Sequence, residues 1–136
     1  MAATKIICDT DVIIDFLNDR SERYFTTKSL IQDVIGVENV ILSAITKMEL
    51  IIGATNKADM QRINKNIFRF TVAFISDSIT QTAIQLLQDY KLSYGLALPD
   101  ALIAATALET QFPLFTYNLK DYKFIAGINL YNPQEK

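Results

Sequence analysis

Short apolar runs alternate along this chain with longer stretches in which apolar residues recur every three or four positions. Residues 5–8 (KIIC), 39–42 (NVIL) and 71–75 (TVAFI) have the continuity of buried strands, and 113–116 (PLFT) and 128–131 (INLY) predict two further short ones. Helical spacing fills the intervals. It predicts helices over 11–18, over 22–35 with Phe25, Ile31, Val34 and Ile35 on one face, and over 44–55 behind Ser43 as N-cap. Residues 59–69 follow with Met60, Ile63 and Ile67 aligned, then 77–91 with Ile79, Ala83, Leu86 and Leu87 on one side. Pro99 suits the first position of a helix running to about Gln111. Strands alternate with helices and hairpin turn signals are missing, which predicts an α/β fold: one domain over 1–136, its parallel sheet flanked by helices on both faces. Sites in such sheets lie outside the carboxyl ends of the strands.

Acidic residues stand at several of those ends. Asp9 directly follows KIIC, with Asp11 and Asp15 close behind on the first helix. Capping of that helix and a site role are both open to Asp9. Glu49 lies more than a turn into the helix after NVIL, where its side chain leans back toward the strand ends. Thr46 and Glu49 also have capping-box spacing, although Ser43 is better placed as the cap. Asp100 opens the nearly all-apolar helix PDALIAATAL and shares a face with Ile103, Ala104 and Ala107. Favourable contact with the helix dipole is one explanation for it. A carboxylate on that face is directed inward, however, and needs a partner or a metal. Asp121 sits in the loop after PLFT and, alone, reads as a solvated aspartate.

Composition narrows the chemistry. The chain of 136 residues has no histidine and one cysteine, Cys8. Ser-His-Asp and Cys-His catalysis are therefore excluded, as are histidine-bearing zinc sites, a Cys₄ cluster and an internal disulfide. Acid, base or metal chemistry must fall to carboxylates, whose hard oxygens suit Mg²⁺ or Mn²⁺. No targeting segment is expected in MAATKIIC, no apolar run is long enough for a membrane span, and one cysteine needs no oxidising compartment, so a cytoplasmic location is expected. Thirteen basic against 15 acidic residues give a formal net charge of −2. Setting four site acids aside leaves the basic residues in slight excess, so an RNA substrate is compatible with the balance.

Four motifs in order then carry a resemblance: residues 9–15 (DTDVIID), Ser43-x-x-Thr46-x-x-Glu49-Leu50, residues 100–105 (DALIAA), and Thr116-x-Asn118-x-x-Asp121. Over about residues 5–131 the chain resembles PIN-domain ribonucleases of the VapC-like toxin type. The resemblance implies an endoribonuclease dependent on Mg²⁺ or Mn²⁺, with Asp9, Glu49, Asp100 and Asp121 as its acidic cluster. Asp9 and Asp100 would bind metal most directly, with Glu49 and Asp121 acting through waters or a second ion. Thr10 and Thr116 would hold the cluster by hydrogen bonds, and Asn118 would stand beside Asp121. Asp11 occupies a position where many relatives carry Asn or Ser, and its role stays open. A homodimer and a small co-encoded antitoxin are the implied partners.

Two other readings compete. Asp9-x-Asp11 after an apolar strand also resembles haloacid-dehalogenase-like phosphatases, with Ser43 as a phosphate contact, although the late acid here begins a helix and 136 residues leave little room for a cap. The other is an inactive PIN-fold interaction module. Arg62, Lys65 and Arg69 share a helix face open to two readings, a contact that tracks an RNA backbone or, more readily, the solvated face of an amphipathic helix; Lys120 and Lys123 beside Asp121 are the better candidates for substrate phosphate. Tyr24, Phe25, Tyr90 and Tyr94 are candidates to stack bases or bind a partner, but most of them are expected in the core.

Overall fold

The computed structural model describes residues 4–133. Four strands, β1 (Ile6–Cys8), β2 (Val40–Ser43), β3 (Thr71–Ala73) and β4 (Leu114–Phe115), form one sheet in the order β3-β2-β1-β4. Every pairing is parallel: Ile7 stands opposite Ile41 on one side and Leu114 on the other. All carboxyl ends therefore emerge along one edge. From β1 the chain steps outward to β2 and β3, then returns to place β4 on the opposite side of β1. The crevice between the ends of β1 and β4 is thus the point where strand order reverses, the usual ligand position in an open parallel sheet.

Period-two alternation divides the core between the two faces. Ile6 and Cys8 of β1, with Val40 and Leu42 of β2, pack against Val12, Ile13 and Phe16 of helix α1 (Thr10–Leu17) and Ile63 and Ile67 of α4 (Lys57–Ile67). Ile7 and Ile41 face the other way, onto α5 (Asp77–Tyr94) and α6 (Leu98–Thr110). Six of the thirteen residues of α6 are buried, alanines among them, so this helix lies close against the sheet and its amino end sits at the strand ends. Cys8 closes β1 with no exposed surface, and burial, ahead of its neighbours Asp9 and Asp11, raises its thiol pKa.

Helix ends follow local capping chemistry. Ser43 caps α3 (Ala44–Ile52), its hydroxyl accepting from Ile45 N. Asn56 caps α4 by accepting from Asp59 N at 2.8 Å, which starts that helix two residues before the expected 59. Gly95 in the left-handed region (φ +70°) ends α5, letting it run past the expected 91 to Tyr94.

Three sequence expectations need correction. The stretch 22–35 is a short helix α2 (Tyr24–Ser29) that widens into a π-helical segment (Leu30–Ile35). Ile31 and Ile35 are buried there, but Phe25 (78% exposed) and Val34 (63%) face solvent, so the four do not share a core face. Residues 128–131 form no strand: Leu130 alone bridges to Leu114, between exposed Asn129 and half-buried Tyr131. Tyr94 is also exposed, and it stacks on Phe124 with ring centroids 4.3 Å apart.

Candidate active site

At the end of β1, Asp9 caps the first helix and also faces the neighbouring strand end. It is the N-cap residue of α1, with Oδ1 accepting from Thr10 N at 2.8 Å. Its Oδ2 accepts from the Thr116 hydroxyl at 2.8 Å, across the crevice from β4. Only 5% exposed, Asp9 is a buried acid with no basic partner among the described residues. Burial is the largest cause of its pKa rise to about 6; Asp11 adds repulsion, and hydrogen bonds from Thr116, Thr10 and Tyr122 offset part of it.

Glu49 reaches the same edge from α3. Thr10, at the start of α1, donates its hydroxyl to Glu49 Oε1 at 2.7 Å and lies 3.0 Å from the hydroxyl of buried Thr46. The capping box between Thr46 and Glu49 does not form, because Ser43 caps the helix and Glu49 is turned toward α1. Thr10 and Thr116 thus each hold one carboxylate, as the resemblance implied.

Asp100 occupies the third position of α6, after Leu98 and Pro99, and accepts from the Tyr122 hydroxyl at 3.0 Å. Half-burial is the main reason its pKa rises to about 6, and repulsion from Asp9, Asp121 and Glu49 adds to it. Asp100 therefore feels the three other candidate acids, each delivered by a different segment. Asp121 closes a short 3₁₀ turn (Leu119–Asp121) after β4.

Asp11 and Asn118 do something different. Asp11 Oδ2 accepts from Tyr117 N and from the Asn118 side-chain amide, both at 3.1 Å. This pair ties α1 to the loop after β4, and the Asn118 amide is engaged there instead of beside Asp121. The other oxygen, Asp11 Oδ1, is buried without a hydrogen-bond partner, and burial raises the pKa of this acid too. With Asp11 spent on the loop and the Ser43 hydroxyl on its helix cap, the paired-acid phosphatase arrangement has lost two of its parts.

Tyr122 is the site residue that sequence reasoning missed. It is fully buried, and its hydroxyl interacts with both Asp100 and Asp9. Burial and these two carboxylates push its own pKa up, so it stays a hydrogen donor. Its adjacency to Asp121 was the available signal, but an aromatic residue between Asp121 and Lys123 reads as core.

The donor set is all oxygen and, among the described residues, no lysine or arginine is paired to it. Among the described residues, no three Asp, Glu or Cys side chains are grouped so as to hold an ion by themselves. A closed protein cage is therefore not what this edge offers. It fits a hydrated ion held by two carboxylates, the coordination Mg²⁺ favours, with outer acids reaching it through water.

Comparison with known proteins agrees with this architecture. No curated protein matches the chain. Among solved structures it is similar to a toxin–antitoxin complex from Klebsiella pneumoniae, with 30% identity over 99% of this chain and 100% of that one and a TM-score of 0.74. FitAcB from Neisseria gonorrhoeae is similar at 27% identity, covering 94% and 97% of the two chains with a TM-score of 0.71. A sarcin-ricin-loop-cleaving VapC toxin from Mycobacterium tuberculosis shares the fold at 17% identity, 95% and 100% coverage and a TM-score of 0.71. The PIN domain model matches residues 6–125, a span that begins with β1 and takes in Asp9, Glu49, Asp100 and Asp121. A sheet of this order, acids at its carboxyl edge and a match over most of the length lead to one conclusion: the chain belongs to the PIN-domain family.

Proposed function

We propose that this protein is a divalent-cation-dependent endoribonuclease, the toxin of a toxin–antitoxin pair. The observation that carries this reading is the position of Asp100, which lies in the field of Asp9, Glu49 and Asp121 with no cation among the described residues paired to any of them. Carboxylates kept together in this way are stabilised by a divalent ion, and the raised proton affinities of Asp9 and Asp100 express the same need. Similarity to a toxin–antitoxin complex at 30% identity supports the toxin role. In this reading the chain binds a small antitoxin, pairs with a second copy, and acts in the cytoplasm. Among the described residues, no helix is long and apolar enough to cross a membrane.

Asp9 and Asp100 would hold Mg²⁺ or Mn²⁺ directly, and Glu49 and Asp121 would orient waters around it. When bound, the ion would supply charge neutralisation at the phosphodiester and a more acidic water. Thr116 and Thr10 keep Asp9 and Glu49 in fixed rotamers, so little reorganisation is needed as substrate charge arrives. Tyr122 donates to Asp100 and fills the space beneath it, excluding water from the sheet side. Hydrolysis in this arrangement leaves 5′-phosphate and 3′-hydroxyl ends.

A labelled single-stranded RNA incubated with the purified chain tests the reading. Cleavage is expected with Mg²⁺ or Mn²⁺ and is expected to vanish in EDTA or with Asp100→Asn. Cleavage that survives EDTA removes the metal, and cleavage that survives the substitution removes the site.

A further inference from the structure

The opposite end of α1 holds a second polar feature. A cavity of about 600 Å³ opens between the carboxyl end of α1, α2, the π-helical segment and α4. Arg20, Lys28, Arg62 and Arg69 line it, against a single carboxylate, Asp19. Arg62 is held by Asp59 at 2.8 Å. Among the described residues, Arg20, Lys28 and Arg69 have no carboxylate within ion-pair distance. Arg69 is nevertheless fixed: its guanidinium lies 5.1 Å from the Phe16 ring centre, and its Nε donates to Asn66 O at 3.1 Å. That leaves its terminal nitrogens for a ligand. Lys28 lies 5.5 Å from the ring centre of Tyr24, which also lines the cavity.

This cavity adjoins a groove that reaches one of the four acids. The groove, of about 250 Å³, shares Leu17, Asn18 and Arg62 with it and continues to Glu49. The eight residues of α1 span about 12 Å, a distance of a few nucleotides along a strand.

We propose that the cavity is a phosphate-binding subsite for the RNA strand a few nucleotides from the scissile bond. The proposal rests on the endoribonuclease reading. Unpaired guanidinium and ammonium groups beside a tyrosine ring and side-chain amides are the combination that tracks a single-stranded backbone while stacking a base. An acidic peptide would use the cations but would leave the ring without a matching planar group. The connecting groove sets the direction: phosphates on the cations, scissile phosphate among the carboxylates. Arg62 and Arg69, whose helix face the sequence left between solvent and an RNA backbone, thus join Arg20 and Lys28 from other segments.

The test measures binding of a fluorescein-labelled single-stranded RNA to the full chain carrying Asp100→Asn, which separates binding from cleavage. Adding Arg20→Ala and Lys28→Ala is expected to weaken binding roughly tenfold and to flatten the slope of log K against log salt by about 1.4, the loss of two single-strand phosphate contacts. Lys57→Ala with Lys91→Ala, exposed cations outside the cavity, is expected to change neither. In the cleaving background, Arg20→Ala with Lys28→Ala raises KM and leaves kcat close to that of the unsubstituted chain. If the unsubstituted chain cleaves RNA and the cavity variant keeps its affinity and salt slope, the subsite is wrong and the enzyme reading stands. Failure of every variant to bind or cleave RNA overturns both. If the variant loses only an acidic protein partner, the cavity is a protein site and the proposal fails.

Discussion

The two ends of α1 are opposites. At its amino end, carboxylates gather in a buried, hydrogen-bonded setting, each supplied by a strand end or by the first turns of a helix. At its carboxyl end, cations from the loop, α2 and α4 meet around an open cavity, and most of them are solvated. The first arrangement is fixed by the backbone, since parallel strands must all finish on one edge. The second depends on the reach of long side chains. Chemistry that tolerates little error sits where topology sets position, and attraction that tolerates a flexible ligand sits where side chains do.

The largest expected difference between the ends is in rate. Asp100→Asn is expected to lower the cleavage rate on the order of 10³-fold while RNA affinity stays within a factor of two or so. A variant that lost both together would show that the two ends do not divide the labour. Next comes metal linkage. Mn²⁺ at about 100 times its Kd is expected to stabilise the unsubstituted chain by about 2.7 kcal/mol in urea unfolding, and to do far less for Asp100→Asn. The cavity variant should respond to Mn²⁺ like the unsubstituted chain.

Thr10→Val probes the support of the acidic end. It removes the hydroxyl that holds Glu49 and leaves buried Thr46 short of its neighbour. Metal affinity measured by calorimetry is expected to fall about tenfold. An unchanged affinity would mean that Glu49 needs no positioning.

The smallest effect is on stability without metal. The Asp100 carboxyl has a pKa near 6 in the fold against an ordinary value of 3.8, so the folded state binds the proton more tightly than the unfolded chain. The resulting penalty is absent below about pH 4, grows between the two values, and is fully present above pH 6. In EDTA at pH 7.5, Asp100→Asn is therefore expected to be more stable than the unsubstituted chain by about 1 kcal/mol, allowing for the solvent screening of a half-exposed group. The difference should close as the pH is lowered toward 4. A substitution at this position that destabilises at pH 7.5 would place Asp100 in a structural role.

What could be read from the sequence follows the same division. Asp9, Glu49 and Asp100 were legible because strand and helix periods locate the junctions, and a junction in a parallel sheet has a known address. The strand pattern was legible too, except at 128–131, where a single residue pairs and polar neighbours stop the ladder. Asp11 and Asn118 were marked as site support, but their contact to each other depends on how the loop after β4 folds back, and spacing does not encode that. Tyr122 was invisible because a buried aromatic residue needs no explanation until its hydroxyl is seen against two carboxylates. The basic cavity was equally hidden, its four cations being spread from Arg20 to Arg69 with no periodic relation between the loop, α2 and α4.

Cys8 has a consequence beyond packing. It is the only thiol in the chain, it ends a strand paired on both sides, and none of its surface is exposed. A thiol reagent can react with it only after β1 has parted from its neighbours, so the labelling rate of the native protein is a clock for that opening. Ligands that brace the edge beside Asp9 should slow the clock. One sulfur atom, with no engineered probe, thus gives a stopwatch for how often the centre of the molecule comes apart.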